Sequence, residues 1–226
     1  MDTDQHFFST NEPVWLRVSV VNEGDQPAEI MLLGTRDQGV SIEGEPSNRS
    51  RVRRWIRPVE TDYAAVLKTV EPKAEISLEV LLNEYLEIEA PGEARFTMKL
   101  RIGDRSGKKE ELERSFQLSF AGPMGPRRTQ DLLTKLESEL QSGKMTDRLR
   151  AVKSLGAIHT PSALAMMGTA LSDESEEVQL TALDAMSFID VESIHDLLVV
   201  AEKSRFESVR WKADAVGRSY GTPKLE

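Results

Sequence analysis

The sequence predicts two domains of different class, an antiparallel β-sandwich followed by an α-α solenoid. Three observations carry this: apolar residues recur every second position up to about residue 120, they recur with helical spacing after about residue 129, and a register of 31 residues runs through the helical part.

In the first half, "VWLRVSVV" puts Val14, Leu16, Val18 and Val20 on one face, and "EISLEVLL" does the same with Ile76, Leu78, Val80 and Leu82. "ARFTMKLRI" sets Phe96, Met98, Leu100 and Ile102 against Arg95, Thr97, Lys99 and Arg101, and "SFQLSF" continues with Phe116, Leu118 and Phe120. Strict alternation of this kind buries one face of a strand and leaves the other in water. Turn signals such as "NEGDQP", "EAPGE" and "GDRSGKKE" separate the runs, so roughly eight strands without an intervening helix are expected. "AGPMGPRRT" then supplies two glycines and two prolines within five positions, the composition of a short, stiff connector. The expected boundaries are 1–122 for the sandwich, 123–128 for the linker and 129–226 for the helical repeats.

In the second half, the segments beginning at Asp147, Val178 and Val209 align without gaps. Ala151, Ala182 and Ala213 coincide, as do Ala163 with Ile194 and Met167 with Leu198. Leu132 and Leu136 fall on the last two columns, which makes the first helix the second half of an incomplete repeat. Stacked helix pairs bury their apolar faces only against their neighbours.

Two resemblances follow from these segments. Through "EPVWLRVSVVNEGDQPAEI" and "LNEYLEIEAPGEARF" the first half resembles bacterial immunoglobulin-like domains, although the Cys, Trp, Cys framework of antibody domains is missing. Through "RAVKSLGAIHTPSAL" and "VRWKADAVG" the second half resembles HEAT-like repeats of the phycobilisome-lyase type. That resemblance implies an α-solenoid presenting a surface to a macromolecule, and it does not imply lyase activity.

Composition narrows the function. The chain holds no cysteine, which removes disulfides, thiolate metal sites and cysteine nucleophiles, and its net charge of −9 argues against a surface devoted to nucleic acid. No apolar run reaches the length of a membrane span, and no signal-peptide pattern opens the chain. The missing cysteine leaves the compartment open, and a sandwich joined by a Pro/Gly connector suits a fragment of a larger exported protein, so an extracytoplasmic location is favoured over the cytoplasm. His6, His159 and His195 share no metal-ligand spacing, "DESEE" lacks the alternation of a calcium loop, and Glu87 with Glu89 stands beside a turn at strand spacing. There is no glycine-rich phosphate loop and no nucleophile elbow. The sequence therefore predicts no enzyme, no cofactor and no metal.

Two candidate binding sites remain. The first is the column Leu149, Leu180 and Trp211, spaced by 31 residues. Taking Val178 as the buried start of its helix, two residues on is a rotation of ~200° that directs these side chains away from the core. Such a stripe suits a protein partner or lies half-buried along the helices. The neighbouring column, Arg148, Gln179 and Arg210, is expected to tie repeats to loop carboxylates such as Asp173 or Glu177. The second candidate is "SNRSRVRRWIRPVE", in which Arg51, Arg53, Trp55 and Arg57 share a strand face. It is either a solvated edge strand or a site for an anionic polymer such as a polysaccharide. The function expected is a non-catalytic scaffold binding a protein through the solenoid; the alternative is an accessory module binding an anionic ligand through the arginine and tryptophan face.

Overall fold

The structure, a computed structural model, describes residues 7–32, 39–44, 50–52, 66–103, 109–187, 189 and 191–221. Two compact units emerge: one holds the strands up to Gly122, and the other holds the helices from Pro123 onward and also takes in Asn11–Pro13.

The first unit contains β1 (Phe7–Ser9), β2 (Trp15–Val21), β3 (Ala28–Leu32), β4 (Val40–Gly44), β5 (Ser50–Val52), β6 (Val66–Val70), β7 (Glu75–Leu81), β8 (Leu86–Ile88), β9 (Gly92–Gly103) and β10 (Lys109–Ala121). A six-stranded sheet runs in the order β1-β10-β9-β3-β6, with β4 also paired to β9, while β2 pairs with β7 and β5 with β8. The alternation read from the sequence decides what is buried. Leu16, Val20, Val80, Phe96, Met98, Leu100, Leu118 and Phe120 lie inside, whereas Arg17, Glu79, Arg95 and Arg101 face solvent. Side chains from the large sheet, the β2–β7 ribbon and β8 join in one apolar cluster around Phe96, whose ring lies 5.4 Å from that of Phe116 and 6.2 Å from that of Phe120. Buried Asn83 is satisfied there, its Oδ1 accepting the Val14 N–H at 2.7 Å.

The turn between β6 and β7 closes with the Ala74 N–H donating to Glu71 O at 3.0 Å. Pro72 sets its second position, and Lys73 takes φ +60° at the third. Lys73 is held there by its Nζ, which reaches Glu23 O at 2.6 Å and Asp25 at 3.2 Å.

The expectation of a purely antiparallel sandwich needs correction. β1 runs parallel to β10, with Phe7 opposite Ser119 and Ser9 opposite Ala121, so the large sheet is mixed. Three residues are too few for an alternation to be read. Buried Phe8 nevertheless anchors the strand, with its ring 6.2 Å from Phe120.

The second unit contains α1 (Pro126–Leu140), α2 (Met145–Gly156), α3 (Pro161–Ala170), α4 (Glu176–Met186), α5 (Val191–Ala201) and α6 (Glu207–Gly221). Proline at the first turn starts α1 and α3, and Thr160 caps α3 by accepting the Ala163 N–H at 3.3 Å. The 31-residue columns are the core. Ala151, Ala182 and Ala213 are each 0 % exposed, and Leu136, Met167 and Leu198 form the matching buried row on the alternate helices. α2, α4 and α6 stack on one another, with α1, α3 and α5 as the second layer.

Close approach of α2 to α4 depends on Gly156: a Cβ there would stand 2.9 Å from Ala185 Cβ and 3.2 Å from Ala185 O. Gly156→Leu is therefore expected to destabilise the helical unit by about 1–3 kcal/mol, as overpacking does. Guanidinium unfolding followed at 222 nm measures it. Partial rescue by Ala185→Gly is expected, and an unchanged midpoint for the single variant would refute the contact.

Candidate functional site

The loop entering each stacked helix repeats the same polar device at the 31-residue period. Ser142, Asp173 and Ser204 each accept, through a side-chain oxygen, the N–H two residues on, from Lys144 at 3.1 Å, Ser175 at 2.8 Å and Phe206 at 3.2 Å. Their backbone carbonyls each accept from the side chain six residues on: Arg148 Nη1 at 3.1 Å, Gln179 Nε2 at 2.6 Å and Arg210 Nη1 at 2.7 Å. The loop is thus pinned to its own helix by residues whose side chains suit such turns.

The same column links successive repeats. Arg148 Nε stands 3.1 Å from Asp173 Oδ2, off the alignment of a hydrogen bond, so this contact is ionic; the side chains are only 12 % and 14 % exposed. One repeat later Ser204 Oγ donates to Gln179 Oε1 at 2.6 Å. Arg148 thus meets Asp173 rather than Glu177, and a neutral glutamine meets a serine. A second link, not read from the sequence, is the ion pair of Lys212 Nζ with Asp184 at 2.5 Å, in which Lys212 is 5 % exposed.

These contacts explain the fate of the predicted apolar stripe. Leu149 and Leu180 are half-buried and pack against the helical core, while Trp211 is 54 % exposed. The rotation argument assigned each helix a single buried side. In a stack, however, each helix has a further flank that meets the following repeat. Leu149 lies seven residues, two turns, before Gly156, which abuts α4; Leu180 lies one turn before Asp184, which grips Lys212 on α6. Trp211 occupies the equivalent flank of α6, on which no described helix packs.

That flank has two further features. Where the earlier helices carry fully buried Val152 and Leu183, α6 carries half-buried Asp214, paired with Arg218 one turn later. The hydrogen bond and charge of Asp214 push the Arg218 guanidinium still further up, so it stays a cation. On α5, Val199 is 37 % exposed; its column mate Gly168 faces Leu197, so Val199 lies on the same outer flank. Neither Val199 nor Lys212 stood out in the sequence, although carrying the 31-residue register through every column would have marked both.

In the arginine segment, Arg51 lies on β5 in register with Glu87 of β8. Arg53, Trp55 and Arg57 lie outside the described residues. His159 and His195 are exposed, and among the described residues no group of three or more histidines and carboxylates could hold a metal ion. No described helix is long and apolar enough to cross a membrane.

Residues 133–216 match the family of HEAT repeats. The match begins within α1 and ends within α6, spanning the columns described above. No curated protein matches the chain.

Proposed function

We propose that this chain is a non-catalytic scaffold that binds a protein partner through the outer flank of α6, centred on Trp211. The observation that carries the reading is the contrast within one column: Leu149 and Leu180 are half-buried and pack against the helical core, and Trp211 is 54 % exposed. HEAT repeats generally mediate protein–protein interaction, which supports the class of function. Tryptophan is also the residue type most enriched among binding hot spots. The remaining finer parts of the reading are an immunoglobulin-like sandwich as spacer or second contact, repeats of the phycobilisome-lyase type, and a division into 1–122, 123–128 and 129–226. They rest on the segments that resemble those families and on the Pro/Gly connector.

The test is a pull-down comparing the intact chain with Trp211→Ala. Loss of a specific partner by at least tenfold is expected, since truncating a hot-spot residue costs about 2 kcal/mol or more. The melting curve should stay within about 0.5 kcal/mol of the parent, as for other surface substitutions. Partner retention undiminished by Trp211→Ala rejects the reading. Leu180 is unsuited to this test because it packs against the core.

A further inference from the structure

We infer that the partner seated on α6 presents a carboxylate to Arg210, on an apolar segment that covers Trp211. The inference rests on the docking reading above and gives it a ligand chemistry. Its basis is a pairing rule visible twice inside the molecule. In the column of Arg210, both Arg148 and Gln179 tie down their own loop carbonyl and then meet the loop residue of the next repeat. Arg148 meets the carboxylate of Asp173, and Gln179 meets the hydroxyl of Ser204. Charge answers charge, and a neutral amide answers a neutral hydroxyl.

Arg210 repeats the first half of this pattern: its Nη1 donates to Ser204 O at 2.7 Å, as Arg148 Nη1 donates to Ser142 O at 3.1 Å. Among the described residues no carboxylate completes the second half. Glu207, one turn earlier on the same helix, forms no ion pair with Arg210. Arg210 is exposed, and beside it Trp211 stands where Leu149 stands beside Arg148. The surface therefore repeats, at its open flank, the arginine and apolar pair that α2 offers to the loop and helix containing Asp173. Asp214 and Arg218 further along α6 satisfy each other, which leaves the guanidinium of Arg210 as the charge that an incoming segment must answer. A planar guanidinium selects a carboxylate by two-point geometry, and desolvation beneath a tryptophan strengthens that choice.

The probe is a labelled peptide copying Leu171–Ser187, the segment that carries the Asp173 partner of Arg148 within the chain, and a second peptide carrying Asp173→Asn. Both are titrated into the intact protein by fluorescence anisotropy. Saturable binding of the first is expected, with the asparagine peptide roughly tenfold weaker, as for loss of one charge-assisted contact. Arg210→Gln should weaken the aspartate peptide by the same factor and abolish discrimination between the two. Arg210→Lys should restore only part of it, since the point charge lacks the fork. The inference is overturned by equal binding of the two peptides, by discrimination that survives Arg210→Gln, or by no binding of either. Its failure is separable from that of the docking reading in the pull-down. Capture lost with Trp211→Ala but unchanged in Arg210→Gln keeps the docking site and removes the carboxylate, whereas capture unchanged in Trp211→Ala removes the site itself.

Discussion

Phe96→Ala is expected to cost the β unit about 3–5 kcal/mol, the range for deleting a fully buried aromatic ring. The ring is 0 % exposed and touches the rings of both Phe116 and Phe120, so its removal leaves a cavity bounded by residues of β9 and β10 that are held in a continuous ladder. That ladder runs from Gly92 opposite Phe120 to Gly103 opposite Lys109, and its stiffness limits how far the cavity can collapse. Because a domain is stable by only about 5–15 kcal/mol, a loss of this size is expected to bring the unit close to unfolding near body temperature. The control is Leu112→Ala on the neighbouring strand β10: Leu112 is 42 % exposed and should change stability by about 0.5 kcal/mol or less. Near-ultraviolet circular dichroism during denaturant titration reads both. Similar midpoints for the two variants would show that the aromatic cluster is not the centre of this unit.

What the sequence revealed follows from how local each signal is. Alternation in β2, β7 and β9 was legible because one buried face imposes a period of two, and the columns of the solenoid were legible because each repeat solves the same packing problem. The parallel pairing of β1 was not, since Phe7–Ser9 is too short for a pattern and its partner lies more than a hundred residues away. The stripe of Leu149, Leu180 and Trp211 was found with two readings open, and Leu149 and Leu180 take the half-buried one. A helical wheel reports angles about one axis, and burial in a stack depends on what packs on both flanks. The link from Arg148 to Asp173 was anticipated because a column of polar residues in a repeated register needs repeated partners. Ser142 and Ser204 escaped notice because serine in a loop carries no distinctive signal until its register is compared with Asp173. As for the arginine segment, a strand face can be read from spacing alone, whereas a binding site requires side chains that converge, and spacing does not fix convergence.

The second large effect is expected at the ion pair that fastens α6 to α4. Asp184→Ala would leave the ammonium of Lys212, 5 % exposed, without its partner, and such unpaired buried charges cost about 3–5 kcal/mol. Asp184 is itself 22 % exposed, so water can reach its side of the pair, and a value near 3 kcal/mol, the low end of that range, is expected. Lys212→Met removes the charge while filling the same space. It should cost less than Asp184→Ala, because a partly hydrated aspartate tolerates loss of its partner better than a buried lysine does. The double variant Lys212→Met with Asp184→Leu should recover most of the stability, as replacing both members of a buried pair by apolar groups often does. A thermodynamic cycle over the four proteins, read at 222 nm, gives the coupling directly. The functional consequence is separate from the stability. Lys212 lies one residue beyond Trp211 but on the flank facing α4, so the double variant should keep partner capture, while Asp184→Ala should weaken it only to the extent that the destabilised unit unfolds. If the double variant is stable and yet captures nothing, the ion pair sets the angle at which α6 presents Trp211, and its role is positional rather than stabilising.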